Sequence, residues 1–371
     1  MSDKIYVLHV VGRMDRGGTE ALLMSLLRTI DRNRFQFDFV EQTQDICNYD
    51  DEILELGAKI YRCPNLSPAN INEYRNWWKK FYIEHPQYKI IHGHSRGSAP
   101  IYLKEAQKSG RIAIAHCHNN SHGKGLKGLI RYLWQIPLRN LADYNLACSY
   151  DSGISQYGKN GKFEIIKNGI QTERFMWNPD IRNKVRQDLK IDNNFVVGNV
   201  ARFEEQKNHK FLLQIFKEIV KMRSDAKLLL VGQGTKENEI HQLAANLGIE
   251  DKIIYTGVRN DVNELMQAMD VFVLPSFFEG LGIVNIEAQT AGLSCFASDK
   301  VVPLEVNLTN LMHYIPLTSP PDEWARQILS HAKSVDERKD MSKEIMEAGF
   351  DILSTKNRLE NFYEEVLKNA E

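Results

Sequence analysis

Short apolar or β-branched runs recur along this chain, each separated from the next by a longer stretch with helical periodicity. In order they read IYVLHVV, FQFDFV, AKIYRC, KIIHGH, IAIAHC, NLACS and EIIKNG, then VVGNV, KLLLVG, KIIYTG, VFVLPS and LSCFAS. Alternation of this kind predicts parallel sheets with crossover helices on both faces, and so an α/β fold. A dozen strands are more than one sheet usually holds. The pattern breaks after Asn168-Gly169, where TERFMWNPDIRNKVRQDLKIDNN carries no strand and leads into a fresh one at Phe195 to Val200. Two doubly wound domains are expected, over residues 1–170 and 171–352. The tail, 353–371, places Leu359, Phe362, Tyr363, Val366 and Leu367 at i, i+3, i+4, i+7 and i+8. That is one apolar stripe on a helix, which must pack on something, and the N-terminal domain is the candidate.

The length of 371 residues agrees with two domains at roughly 150 residues each. A hydrophobic fraction of 43% with 26% charged residues excludes disorder and fibrous folds. The formal net charge of −1 excludes a protein built for bulk nucleic-acid binding. That near-zero value hides a split: 23 basic against 17 acidic residues up to Gly169, and 24 against 31 beyond it. Cys47, Cys63, Cys117, Cys148 and Cys295 are scattered, odd in number and without a CxxC pair. The pattern suits reduced thiols in a cytoplasmic protein better than a disulfide framework or a zinc site. The first apolar stretch, Ile5 to Val11, is too short for a signal peptide, and no segment reaches the roughly 18 apolar residues of a membrane span. Any membrane contact is expected to be peripheral.

The most informative stretch is PSFFEGLGIVNIEAQTAG, from Pro275 to Gly292. A buried strand, Val271 to Leu274, runs into a glycine turn and then a helix from about Ile283 to Ala291, with Gly292 as its stop. The amides of Gly280, Leu281 and Gly282 can point at an anion near the positive end of that helix. Glu279 and Glu287 are eight residues apart, about 12 Å if all helical, a spacing that suits two carboxylates holding hydroxyls at opposite ends of a diphosphate. The plainer alternative is a loop glutamate and a surface glutamate. In GNVARFEEQKNHKFLL, Arg202 follows a strand and Lys207 precedes a helix starting near His209. Cations beyond the carboxyl end of a strand sit where open α/β sheets bind ligands, and such a pair suits a diphosphate. The alternative is a solvated pair answering Glu204 and Glu205.

GGTE (Gly17 to Glu20), VARFEEQKN, LLLVGQG, YTGVRNDV and EGLGIVNIE, in that order and at these distances, resemble glycosyltransferase family 4, retaining nucleotide-sugar transferases with the GT-B fold of two Rossmann-like domains facing across a cleft. The resemblance runs from the first strand to about Glu305. GGTEALLMSLLRTIDRNRFQFDFV and AIAHCHNN are most similar to bacterial capsular and exopolysaccharide enzymes of that family. It implies that Arg202 and Lys207 neutralise the donor diphosphate, that Glu287 binds the ribose hydroxyls, and that Glu279 with the amides of Gly280, Leu281 and Gly282 holds the transferred sugar. It places the nucleotide base at the loops GQG and TGVRND, where Gly232 and Val258 are the contacts chosen. On the other side, Gly17 and Gly18 lie in the first strand-to-helix turn, where a missing side chain permits close approach of the donor. His118 matches a position that contacts the donor sugar. His116 shares its strand face, and the two roles are not separable from sequence. His116 and His94, which ends the preceding strand in HGHSRG, are assigned to the acceptor side.

No Asp-x-Asp occurs in the chain, and cations accompany the glutamates. The expected transfer therefore needs no metal and no cofactor beyond the nucleotide sugar, with UDP as the expected nucleotide. The resemblance implies retention through a front-face displacement in which Glu279 positions the sugar and is not a covalent nucleophile. Residues 122–139 interleave Lys124, Lys127, Arg131 and Arg139 with Leu126, Leu129, Ile130, Leu133 and Trp134. Such a basic amphipathic segment can meet an anionic membrane, presenting a lipid-linked saccharide as acceptor; otherwise it is an ordinary core-packed helix. Two rivals share the architecture. A nonhydrolysing nucleotide-sugar epimerase would interconvert free nucleotide sugars without transfer, and a noncatalytic partner subunit would bind no nucleoside diphosphate. The chain departs from the family in Lys167, where Pro often precedes Asn-Gly, and in SDKVVPLE, where glycines often precede the late Glu305. The second departure touches the sugar pocket and leaves the sugar open, as the sequence leaves the acceptor, linkage and oligomeric state.

Overall fold

The computed structural model describes residues 4–118, 133, 136 and 138–370. The basic amphipathic segment proposed at 122–139 lies almost wholly outside the described residues. Within it, Leu133 and Ile136 are exposed and Leu138 is buried. The chain divides into two compact units, Met1–Ile170 with Phe350–Glu371, and Gln171–Gly349.

The first unit holds one parallel sheet of β1 (Ile5–Val11), β2 (Phe35–Glu41), β3 (Ile60–Arg62), β4 (Ile90–Gly93), β5 (Ile112–Cys117), β6 (Tyr144–Ala147) and β7 (Glu164–Ile165). Its spatial order is β3-β2-β1-β4-β5-β6-β7. The order reverses between β1 and β4, the switch point where open α/β sheets place ligands beyond the carboxyl ends of their strands. Both faces are covered, as continuous apolar strands require. One face carries Val7, Phe35, Phe37, Ile90 and Ile114 against the helices Gly18–Thr29 and Ile352–Lys368. The other carries Leu8, Val10 and Ile91 against Trp78, Tyr82 and Tyr102.

The tail returns to this unit three residues earlier than the sequence suggests, at Phe350 and not at 353. The reason is backbone bonding: Ile170 N–H donates to Phe350 O and Ile352 N–H to Ile170 O, both at 2.8 Å. Asp351 then caps the helix Ile352–Lys368 by accepting from Leu353 N–H at 2.8 Å. Leu359, Phe362, Tyr363 and Val366 enter the sheet's core.

The second unit is a parallel sheet of β8 (Phe195–Val200), β9 (Ala226–Val231), β10 (Ile253–Tyr255), β11 (Val271–Leu274), β12 (Ser294–Ser298) and β13 (Met312–Ile315), in the order β10-β9-β8-β11-β12-β13. β13 was not expected from sequence. His313 and Tyr314 at its centre are only partly buried and interrupt the apolar run, and the strand sits at the sheet's edge beside β12. No described helix is long and apolar enough to cross a membrane. All five cysteines are buried and unbridged.

Candidate active site

In the second unit the site residues sit in loops at the carboxyl ends of four neighbouring strands. β8 leads to Arg202 and Lys207, β9 to Gly232, β10 to Val258, and β11 to the turn before the helix Ile283–Thr290. The strand order reverses between β8 and β11, so Lys207 and Glu279 lie on the two sides of the switch point. The segments are tied together locally. Phe277 N–H donates to Gln206 O, and Gln206 Nε2 donates to Phe278 O, both at 2.8 Å.

This clamp sets Lys207 Nζ 2.6 Å from Glu279 Oε1, and Ser276 Oγ donates to the same oxygen at 2.6 Å. Glu279 is only 4% exposed. The alternative of a solvated Lys207 answering Glu204 or Glu205 does not hold, since Lys207 pairs with Glu279 and Glu204 accepts from Thr235. Arg202 is exposed at the loop's rim. Following Glu279, Gly280, Leu281 and Gly282 are buried, and Gly282 caps the helix with φ of +74°, a conformation that favours glycine. Asn285 Nδ2 closes the turn by donating to Gly282 O at 3.1 Å. Glu287 is one residue past the middle of that helix, partly exposed, yet burial pushes its carboxyl up to about 7 against the pull of Arg174.

Gly232 is where two loops touch. Ala201 N–H donates to Val231 O at 3.0 Å and Phe203 N–H to Gln233 O at 2.9 Å, so the β8–β9 ladder continues past the strands. Gly232 has φ of +137°, and a Cβ there would lie 2.1 Å from Ala201 O. Its N–H donates to Gly257 O at 2.9 Å, which draws in the next loop and Val258, 45% exposed beside it in sequence. An apolar, exposed side chain at a strand end is a suitable surface for a flat ring.

In the first unit, Gly17 caps and Gly18 opens the helix after β1. The histidines are more organised than the sequence reading supposed. Strand alternation puts His9 between Val7 and Val11, His92 and His94 after Ile90, and His116 and His118 after Ile114, all on one sheet face. His9 is in register with His92. Two hydrogen-bonded files result. His9 Nδ1 meets His94 Nε2 at 3.0 Å, and His94 Nδ1 meets His118 Nε2 at 2.8 Å. Tyr363 Oη, from the returning helix, meets His92 Nδ1 at 2.6 Å, and His92 Nε2 meets His116 Nδ1 at 3.1 Å. Burial lowers the pKa of all five, to about 3 for His9 and His118, so they are neutral near pH 7.

Sequence reasoning named His94, His116 and His118 but missed His9, His92 and Tyr363, and in the second unit Ser276, Gln206 and Arg174. A usable signal was present: His-x-His occurs twice, at the ends of consecutive strands, with a third strand carrying His9.

Two family models match the chain. Glycosyltransferase Family 4 covers residues 16–174, and Glycosyl transferases group 1 covers residues 180–347. The Bacillus subtilis protein EpsF, assigned as a glycosyltransferase, is 31% identical over 96% of this chain and 96% of its own length. An Escherichia coli UDP-Gal:α-D-GlcNAc-diphosphoundecaprenol α-1,3-galactosyltransferase is 27% identical over 58% of this chain and 59% of its own. Among solved structures, Anabaena HepE in complex with UDP and glucose superposes with a TM-score of 0.81 at 19% identity, covering 97% of this chain and all of that one. That likeness establishes the GT-B fold. With a model on each unit and a 31%-identical relative matched nearly end to end, the chain belongs to glycosyltransferase family 4.

Proposed function

We propose that this glycosyltransferase moves a sugar from a nucleoside-diphosphate sugar, UDP-linked, to a saccharide or lipid-linked saccharide in cell-surface polysaccharide synthesis, with retention and without a required metal. The observation that carries the reading is the Lys207–Glu279 pair at 2.6 Å, its carboxylate buried and its cation partly so, held at the sheet's switch point beside the amide turn of Gly280 to Gly282. Arg202, Lys207 and the turn amides supply the positive charge that a leaving diphosphate needs, which is the role a metal would otherwise fill. In the free protein Lys207 neutralises Glu279; with donor bound it is shared with the diphosphate, and Glu279 accepts hydroxyls of the sugar. Glu287, in its carboxylate form, accepts from the ribose hydroxyls, while Gly232 and Val258 receive the base. The family resemblance also assigns donor contacts to His118, Gly17 and Gly18.

The donor assignment is supported by the UDP complexes of HepE and by the UDP-galactose named for the Escherichia coli relative, whose acceptor is lipid-linked. The basic front half fits an acceptor carrying phosphate or an anionic leaflet, with peripheral attachment through 122–139 at the cytoplasmic face. Release of nucleoside diphosphate is to be measured across common nucleotide sugars with EDTA present. One UDP-sugar should stand out; dependence on added Mg2+ or preference for a GDP-sugar would refute the corresponding part. Sedimentation with liposomes should favour anionic over neutral vesicles.

A further inference from the structure

The first unit carries a histidine cluster whose converging ring nitrogens can take a ligand other than the nucleotide sugar. We infer that His94, His116 and His118 form a binding site for a late first-row transition-metal ion such as Zn2+. One ring nitrogen from each can be chosen so that all three lie within 4.8 Å of one another. His116 is 3% exposed, and its Nε2 finds no hydrogen-bond partner among the described residues. His94 and His118 are only partly buried, so the set is reachable by solvent.

Three neutral imidazoles without a carboxylate are the donor set of a three-histidine zinc site with one open position, and they offer nothing to Mg2+ or Ca2+. The outer nitrogens are also in place. His9 Nδ1 stands 3.0 Å from His94 Nε2, and His92 Nε2 stands 3.1 Å from His116 Nδ1. Metal-bound imidazoles hold their orientation through such partners. The 2.8 Å contact between His94 Nδ1 and His118 Nε2 contains one shared proton. On metal binding the proton leaves that contact by tautomer exchange: His94 Nε2–H donates to His9 Nδ1, His9 carries its own proton on Nε2, His118 carries Nδ1–H, and His116 Nδ1–H donates to His92 Nε2. No proton is lost and no bond other than coordination forms.

The test is calorimetric titration of tag-free, EDTA-treated full-length protein with ZnCl2 alone, at pH 7.5 or thereabouts. One ion per chain is expected, and none with MgCl2. His94→Ala and His118→Ala should each abolish the heat or nearly so. His9→Phe, which alters only the outer partner, should weaken binding about ten- to hundredfold. His331→Ala, in the separate His313–His331 pair, should change nothing. Copper-loaded wild type should give an electron paramagnetic resonance spectrum of three-nitrogen coordination, which needs no variant. Absence of Zn2+ binding, binding that survives His94→Ala with His118→Ala, or a copper spectrum with fewer nitrogens overturns the site. None of these readouts uses sugar transfer, so failure of the proposed function leaves the inference standing, and the reverse holds.

Discussion

The two units solve the same problem, a polar cluster at the switch point of a parallel sheet, in opposite ways. In the second unit a cation and a carboxylate face each other at 2.6 Å and a serine hydroxyl completes the shared oxygen. In the first, five imidazoles and a tyrosine hydroxyl are joined in two hydrogen-bonded files while carrying no charge, with His116 Nε2 left without a partner among the described residues. Under the proposed function, charge at Lys207–Glu279 is held for a charged ligand, because each partner would be re-paired when a nucleotide sugar binds. Neutrality in the histidine files removes the desolvation cost of charge from a buried layer. The comparison therefore predicts different failures. Cutting one partner should be worst in the second unit, and acid should be worst in the first.

Lys207→Met is the most severe test. It leaves Glu279 buried without its cation, which should cost about 3 to 5 kcal/mol of stability, and turnover should fall about ten- to hundredfold through the loss of one charge-assisted bond to the diphosphate. Adding Glu279→Gln should restore most of the stability but none of the turnover, read by thermal melting and nucleoside-diphosphate release. Recovery of turnover in the double variant would show that the pair serves folding alone.

Acid comes next. A histidine whose folded pKa lies below its unfolded value near 6.5 binds its proton only on unfolding. The stability it contributes is complete above pH 6.5 and is lost as pH falls toward the folded value, about 3 for His9 and His118. Each fully buried ring adds a slope of about 1.4 kcal/mol per pH unit below 6.5. Hydrogen exchange at pH 7 and pH 5 should show the first unit loosening more than the second. Equal loosening would remove the contrast.

These clusters were unequally legible in the sequence. Arg202, Lys207, Glu279 and Glu287 could be named as candidates because phosphate chemistry needs particular residue types beside glycine turns at short spacing. The clamp through Gln206 and the hydroxyl of Ser276 were not, since a main-chain tie between loops leaves no pattern. His9 and His92 lie inside apolar runs and read as core. Only register, His9 beside His92 and His-x-His on two adjoining strands, aligns them, and register follows from strand order, which periodicity does not supply. For the same reason Tyr363 was read as one member of an apolar stripe, though its ring packs against Phe37 and its hydroxyl meets His92.

Glu287 sharpens the contrast within the second unit itself. Its carboxyl has a raised pKa, about 7, because burial outweighs the pull of Arg174. A raised carboxyl is protonated below that value and must be ionised to accept from ribose hydroxyls. UDP affinity should thus be greatest above pH 7 and fall by up to about tenfold per pH unit below it. Glu287→Gln should flatten that part of the profile, leaving only the titration of the phosphate. A profile unchanged by the substitution would take Glu287 out of nucleotide binding.

The smallest expected effect is the one that tests whether the histidine files are a network or merely packing. Tyr363→Phe keeps the ring against Phe37 and removes only the hydroxyl at 2.6 Å from His92 Nδ1. A hydrogen bond of this kind contributes about 1 kcal/mol net, so the melting temperature of the first unit should fall by a few degrees at neutral pH. Nitrogen-15 spectra of labelled histidines should report a changed tautomer balance at His92 and, through the 3.1 Å contact, at His116. A shift confined to His92 would mean that the rings are stacked but not coupled. In that case the first unit holds its polar layer by shape, as it holds its apolar core, and the likeness to the hydrogen-bonded pair at Glu279 is only one of position.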